Sequence, residues 1–134
     1  MAKIGVVFLD VGGTLGSVDS QLQLHPFAST KNLLKSLRDT LGMRLGVISN
    51  VPADMNGTGL KNLLEKAGLL SFFDDHLIIA STDAGASKPA AAIYQTAASH
   101  AGVPPDQCMY IGEAADEVAG AISAKMAGIL KPAG

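Results

Sequence analysis

Tryptophan is absent from this chain, and aromatic residues are only 4% of it. A hydrophobic core therefore has to be built mainly from Leu, Ile, Val, Ala and Met. The supply is ample, because apolar residues make up 48% of the sequence, which excludes a disordered chain. Cysteine occurs once, so Cys108 has no intrachain disulfide partner. It lies in an apolar run and reads as a buried structural thiol rather than a catalytic one. A basic cluster is also missing, and the formal net charge is -2. Neutralising a nucleic-acid backbone needs grouped Lys or Arg, so no nucleic-acid partner is expected. No apolar run approaches a membrane span. The residues before Asp10 hold no long apolar h-region of a signal peptide. The expectation is a soluble, cytoplasmic protein without a membrane partner. His25, His76 and His100 show no ligand-like spacing and read as surface or loop positions.

A chain of 134 residues suits one domain, here 1–134, with a real core. Ile4 to Leu9 reads as a first strand. The stretch from Gly16 to Ser29 is polar and mixed, and reads as a loop. Ser29 or Thr30 is a candidate cap for a helix carrying Leu33, Leu34, Leu37 and Leu41, with Gly42 ending it. Arg44 to Ser49 reads as a second strand. A helical stripe of Leu60, Leu63, Leu64 and Ala67 follows a loop from Pro52 to Gly59, with Gly68 as its C-terminal cap. His76 to Ala80 is a third strand and Ser81 to Ser87 a loop. Pro89 suits the first turn of a helix through Ile93, Tyr94, Ala97 and Ala98. Cys108 to Ile111 is a fourth strand, Asp116 to Ala127 a last helix, and Ile129-Leu130 a short fifth strand. Strands alternating with helices predict an α/β fold, a parallel sheet covered by helices on both faces.

The apolar run Val6-Val7-Phe8-Leu9 leads directly into Asp10-Val11-Gly12-Gly13-Thr14-Leu15. A buried strand thus delivers a carboxylate to a sharp turn, at the sheet edge where α/β proteins place their ligand sites. Ser49-Asn50 and Gly112-Glu113 with Asp116 close other strands, and Ser87-Lys88-Pro89 opens a helix. Several acids and a lysine at one edge call for a counter-charge, which a hard divalent cation such as Mg²⁺ supplies together with substrate phosphate. Lys88 can neutralise a phosphoryl oxygen or Asp10. Ser49 and the backbone N–H groups of the glycine turn can donate to a phosphoryl group.

Phe8 to Leu15 resembles the first motif of the haloacid dehalogenase-like (HAD) hydrolases, and Ile48-Ser49-Asn50 the second. Ala80 to Pro89 with Ile93-Tyr94 resembles the third. Val103-Pro104-Pro105, then Met109 to Glu113 with Asp116, then Ala121 to Gly128, resembles the fourth. The match runs through nearly the whole chain in order. It implies a three-layer, Rossmann-like sheet of about five strands. It further implies a Mg²⁺-dependent phosphatase in which Asp10 attacks phosphorus and forms an aspartyl-phosphate. In that reading Asp10, Lys88 and Ser49 are catalytic. Gly13, Thr14, Ser49, Asn50 and Lys88 bind phosphate. Asp10, the Gly12 carbonyl, Glu113 and Asp116 hold Mg²⁺.

Three departures from the family pattern qualify what the resemblance implies. Gly12 stands where phosphatases of the family carry a second aspartate, so the usual general acid, worth ~10²–10⁴-fold, is missing. Glu113 replaces an aspartate with an arm one methylene longer. The segments between motifs leave no room for a cap domain, so the site should be open to a phosphorylated small molecule or macromolecule, or covered by a second subunit of a homo-oligomer. The alternative is a catalytically impaired member with a binding or regulatory role. The Asp10 to Thr14 turn also looks like the phosphate loop of actin-like sugar kinases. Those need a longer, two-lobed chain and leave Lys88 and Glu113 unexplained.

Overall fold

The computed structural model describes residues 3–132. Its centre is a five-stranded sheet of β1 (Val6–Leu9), β4 (Arg44–Ser49), β5 (Ile78–Ala80), β6 (Cys108–Gly112) and β7 (Ala127–Leu130), in the order β5-β4-β1-β6-β7. All four pairings are parallel. Parallel strands need crossovers, and α2 (Gly57–Lys66), α4 (Ala91–Ala101) and α5 (Ala115–Ser123) serve as such. The α/β expectation holds. β1 is central, so both of its faces are covered and all four of its residues are buried.

Strand alternation divides the core. Val7 and Leu9 face a cluster with Leu34, Leu60, Leu64 and Leu69, under α1 (Thr30–Lys35) and α2. Val6 and Phe8 face another with Ile93, Tyr94, Ala97 and Val118, under α4 and α5. Cys108 is buried in this second cluster, and burial pushes its thiol up to about 11, as befits a structural residue.

Several boundaries differ from the sequence reading. The expected loop from Gly16 contains an antiparallel hairpin of β2 (Gly16–Val18) and β3 (Leu24–Pro26). Strands of three residues give no periodic signal. Of the two expected caps, Ser29 takes the N-cap position and Thr30 is the first residue of α1; the Thr30 hydroxyl donates to the Leu15 carbonyl at 2.6 Å, tying that helix to the hairpin base. The helix then widens into a π-helical stretch, Ser36–Thr40. Asp75–Leu77 forms a 3₁₀ turn, so β5 starts later than His76. A short helix α3 (Ser81–Ala84) occupies part of the expected loop before Lys88. Pro89 precedes α4, whose N-cap is Ala90. The last helix ends at Ser123 because Lys125 takes a positive φ of 77°, and Ala127 belongs to β7.

Candidate active site

The connections from β1 and β6 leave in opposite directions across the sheet, so the edge beyond these two strands is the topological switch point where open α/β sheets bind ligands. Asp10 follows β1 and Glu113 follows β6 at that edge. A cavity of about 320 Å³ opens there, lined among others by Asp10, Gly12, Ser49, Asn50, Lys88, Glu113 and Glu117.

Lys88 is the hub. Its side chain is only 1% exposed and its ammonium uses all three donors. Nζ lies 2.8 Å from Asp10 Oδ1, 2.8 Å from the Tyr110 hydroxyl and 2.8 Å from Glu117 Oε1. The Tyr110 hydroxyl in turn donates to Glu117 Oε1 at 3.2 Å. Burial holds that phenol well above its ordinary pKa, so it remains a neutral donor. The backbone of Lys88 is gripped by Asn50, whose Oδ1 accepts from Lys88 N–H at 2.8 Å and whose Nδ2 donates to Lys88 C=O at 3.1 Å. Close packing of α5 completes the mount. A Cβ on Gly120 would stand 2.5 Å from the Pro89 carbonyl oxygen, so only glycine allows this approach.

Burial pushes the Asp10 carboxyl above its ordinary value of 3.8, against the opposing pull of the Lys88 ammonium; Glu117 adds a smaller upward push. Asp10 is thus a poorly solvated carboxylate beside a cation, which suits a nucleophile facing an anionic phosphoryl group.

The structure brings together Asp10, Gly12, Ser49, Asn50, Lys88 and Glu113. It does not bring Asp116, Gly13 or Thr14 to the cavity lining. Asp116 is exposed, and its Oδ1 accepts the Glu117 N–H at 2.9 Å. Glu117 lines the cavity instead, paired with Lys88. The turn amides are already used, since Gly13 N–H donates to Gly16 C=O at 2.8 Å and Thr14 N–H to Val11 C=O at 3.2 Å. Thr14 is fully buried and its hydroxyl has no partner among the described residues. Glu117 and Tyr110 escaped the sequence reading. Glu117 sits in the first turn of α5 beside Asp116, where nothing in the sequence says which of the two acids faces the site. Tyr110 lies inside an apolar strand and offered no signal.

Hard oxygen donors, the Asp10 and Glu113 carboxylates and the backbone at Gly12, border one cavity. The Glu113 stem lies against Gly13, where a Cβ would stand 2.6 Å from Glu113 Cγ. Among the described residues no three acids, histidines or cysteines converge into a ready-made cage. Mg²⁺ ordinarily binds through one or two carboxylates, waters and substrate phosphate, so this donor set fits it.

A model of the haloacid dehalogenase-like hydrolases matches residues 14–125. The chain belongs to this family. A haloacid dehalogenase-like hydrolase domain-containing protein 3 from Danio rerio is 33% identical over 87 residues, covering 65% of this chain. The chain is matched to only 33% of that relative's length. A HAD phosphatase from Thermococcus onnurineus superposes with a TM-score of 0.64 at 29% identity, over 75% of this chain and 44% of that one. A HAD family enzyme from Bacteroides thetaiotaomicron, solved as an Asp-to-Ala mutant with magnesium and inorganic phosphate, superposes with a TM-score of 0.74 at 13% identity. It covers 98% of this chain and 95% of its own, a likeness of fold alone. The family match begins after Asp10, which is placed instead by its position at the end of β1 beside Lys88.

Proposed function

We propose that this HAD hydrolase is a phosphatase of weak or specialised activity that works through an aspartyl-phosphate on Asp10. The observation that carries the reading is the buried Asp10–Lys88 pair at 2.8 Å on the floor of the cavity. A phosphoryl group entering it would meet the Asp10 carboxylate, with the Lys88 ammonium beside it and Ser49 on the wall. Asp10 forms a new P–O bond while the ester P–O bond breaks. The leaving alkoxide takes its proton from solvent, because Gly12 offers no acid. Water then attacks phosphorus, releasing inorganic phosphate and restoring the Asp10 carboxylate. Mg²⁺, held by Asp10, the Gly12 carbonyl and Glu113, would neutralise phosphoryl charge. The Bacteroides relative with magnesium and phosphate supports this as an analogy of fold.

Gly12 favours a second reading, a member that binds phosphate without turning it over. A cytoplasmic location is part of the proposal. Among the described residues no helix is long and apolar enough to cross a membrane. Closure of the open site by a second subunit is likewise proposed.

Turnover of 4-nitrophenyl phosphate and of acetyl phosphate, with and without Mg²⁺, tests the enzyme reading. Slow, Mg²⁺-dependent release that disappears in Asp10→Asn is expected. Absence of both turnover and Asp10 phosphorylation by mass spectrometry would sink it and leave the binding role.

A further inference from the structure

The lining of the cavity is of two kinds. Beside its charged and polar residues stand Val18, Leu22, Val51, Pro52, Met55, Leu60 and Leu63, none of which carries a hydrogen-bond donor on its side chain. Val18 and Leu22 sit on the β2–β3 hairpin and are 38% and 45% exposed. Large apolar side chains that are both exposed and grouped mark a binding surface more often than chance.

Leu22 adds an independent observation. Its φ is +59°, the left-handed region that a bulky apolar residue rarely takes and that asparagine tolerates well. The turn enforces it. Asp19 Oδ1 accepts from Gln21 N–H at 2.9 Å and Gln23 N–H at 3.0 Å, Leu22 N–H donates to Asp19 C=O at 3.0 Å, and Asp19 Oδ2 pairs with His25 at 2.8 Å. An unfavourable backbone state over-determined by its surroundings points to a functional reason for the side chain. Here that residue lines the same cavity as Asp10.

We propose that Val18, Leu22, Met55 and Leu63 form a subsite for an apolar organic group, so that the substrate class is a small phosphate monoester of an apolar alcohol. The inference rests on the phosphatase reading and names its leaving group. A sugar or nucleoside would bring hydroxyls that this wall leaves unpaired, whereas an alkyl or aryl group removes apolar surface from water.

Calorimetric titration with methylphosphonate and butylphosphonate, in the presence of Mg²⁺, tests the subsite without requiring turnover. Butylphosphonate should bind roughly tenfold or more tightly than methylphosphonate. In Leu22→Asn the ratio of the two affinities should fall towards one. The melting temperature of that variant should hold or rise, since asparagine suits the left-handed backbone, and this separates a binding role from a folding role. Equal affinities in the wild type would overturn the subsite and leave the phosphate site standing. Binding of neither phosphonate would overturn both. A preference that survives Leu22→Asn and Met55→Gln alike would also overturn the assignment to this wall.

Discussion

The carboxamide of Asn50 holds the peptide of Lys88 from both sides, accepting its N–H at 2.8 Å and donating to its C=O at 3.1 Å. One strand end thereby fixes the lysine that serves the carboxylate of another. Asn50 was read from sequence as a phosphate ligand; in the structure its amide is engaged with the backbone of Lys88. Asn50→Ala should cost about 1–3 kcal/mol for two lost hydrogen bonds. Urea denaturation measures this, and a loss within a few tenths would remove the clamp from the account.

Asp10 should cost the fold stability at neutral pH. Its pKa is raised by burial, so the folded state holds the proton more tightly than the unfolded state. The contribution of that proton is fully present below the ordinary value of 3.8 and is lost as pH rises through the higher folded value. Asp10→Asn, which cannot ionise, should therefore be more stable than the wild type at pH 7, with the difference shrinking towards acid. Thermal melts across pH check the sign. A variant that is less stable at pH 7 would mean that the pairing with Lys88 outweighs the burial.

Lys88→Met should be among the most destabilising single changes. It removes the cation shared by Asp10 and Glu117, whose side chains are only 12% and 21% exposed, and leaves two carboxylates together. Breaking a buried pair in this way typically costs ~3–5 kcal/mol. The loss should ease as pH falls and a carboxylate takes up a proton, which denaturation at two pH values would show.

Gly12→Asp should raise turnover. A Cβ at Gly12 would meet only Val18 Cγ2, at 3.7 Å, an ordinary contact, so the fold has room for a β-carbon there. A restored general acid is worth ~10²–10⁴-fold, most of it on substrates with poor leaving groups. Comparing alkyl with aryl phosphates is the measurement. An unchanged rate on both would show that the missing acid does not limit this site.

Glu117 and Asp116 should separate cleanly. Glu117→Gln removes the charge paired with Lys88 at 2.8 Å, whereas Asp116→Asn alters an exposed residue that lies off the cavity lining. The first should lose turnover and stability, the second little of either. The reverse order in kcat and urea midpoint would restore Asp116 to the site.

Much of this architecture is legible in the sequence alone. The runs Val6 to Leu9, Leu45 to Ile48 and Cys108 to Gly112 are almost wholly buried, so each is apolar and ends where polar residues leave the sheet. That pattern identified the strands and placed Asp10, Ser49 and Glu113 at one edge, because parallel strands share their carboxyl ends. What sequence determined by itself was therefore the layering and the list of polar residues at the rim. Tertiary structure alone decided which of them meet. The rotation of α5 turns Glu117 inward and Asp116 to solvent, a phase of one residue that composition does not encode. The packing of α4 and α5 carries the Tyr110 hydroxyl from an apolar strand to Lys88. The Gly13 and Thr14 amides, free on paper, are consumed by the turn they make. Local runs obey backbone periodicity, which one stretch of sequence reveals. Side-chain encounters between residues as distant as Asp10 and Lys88 depend on how packed elements rotate against each other, and that exists only in the folded chain.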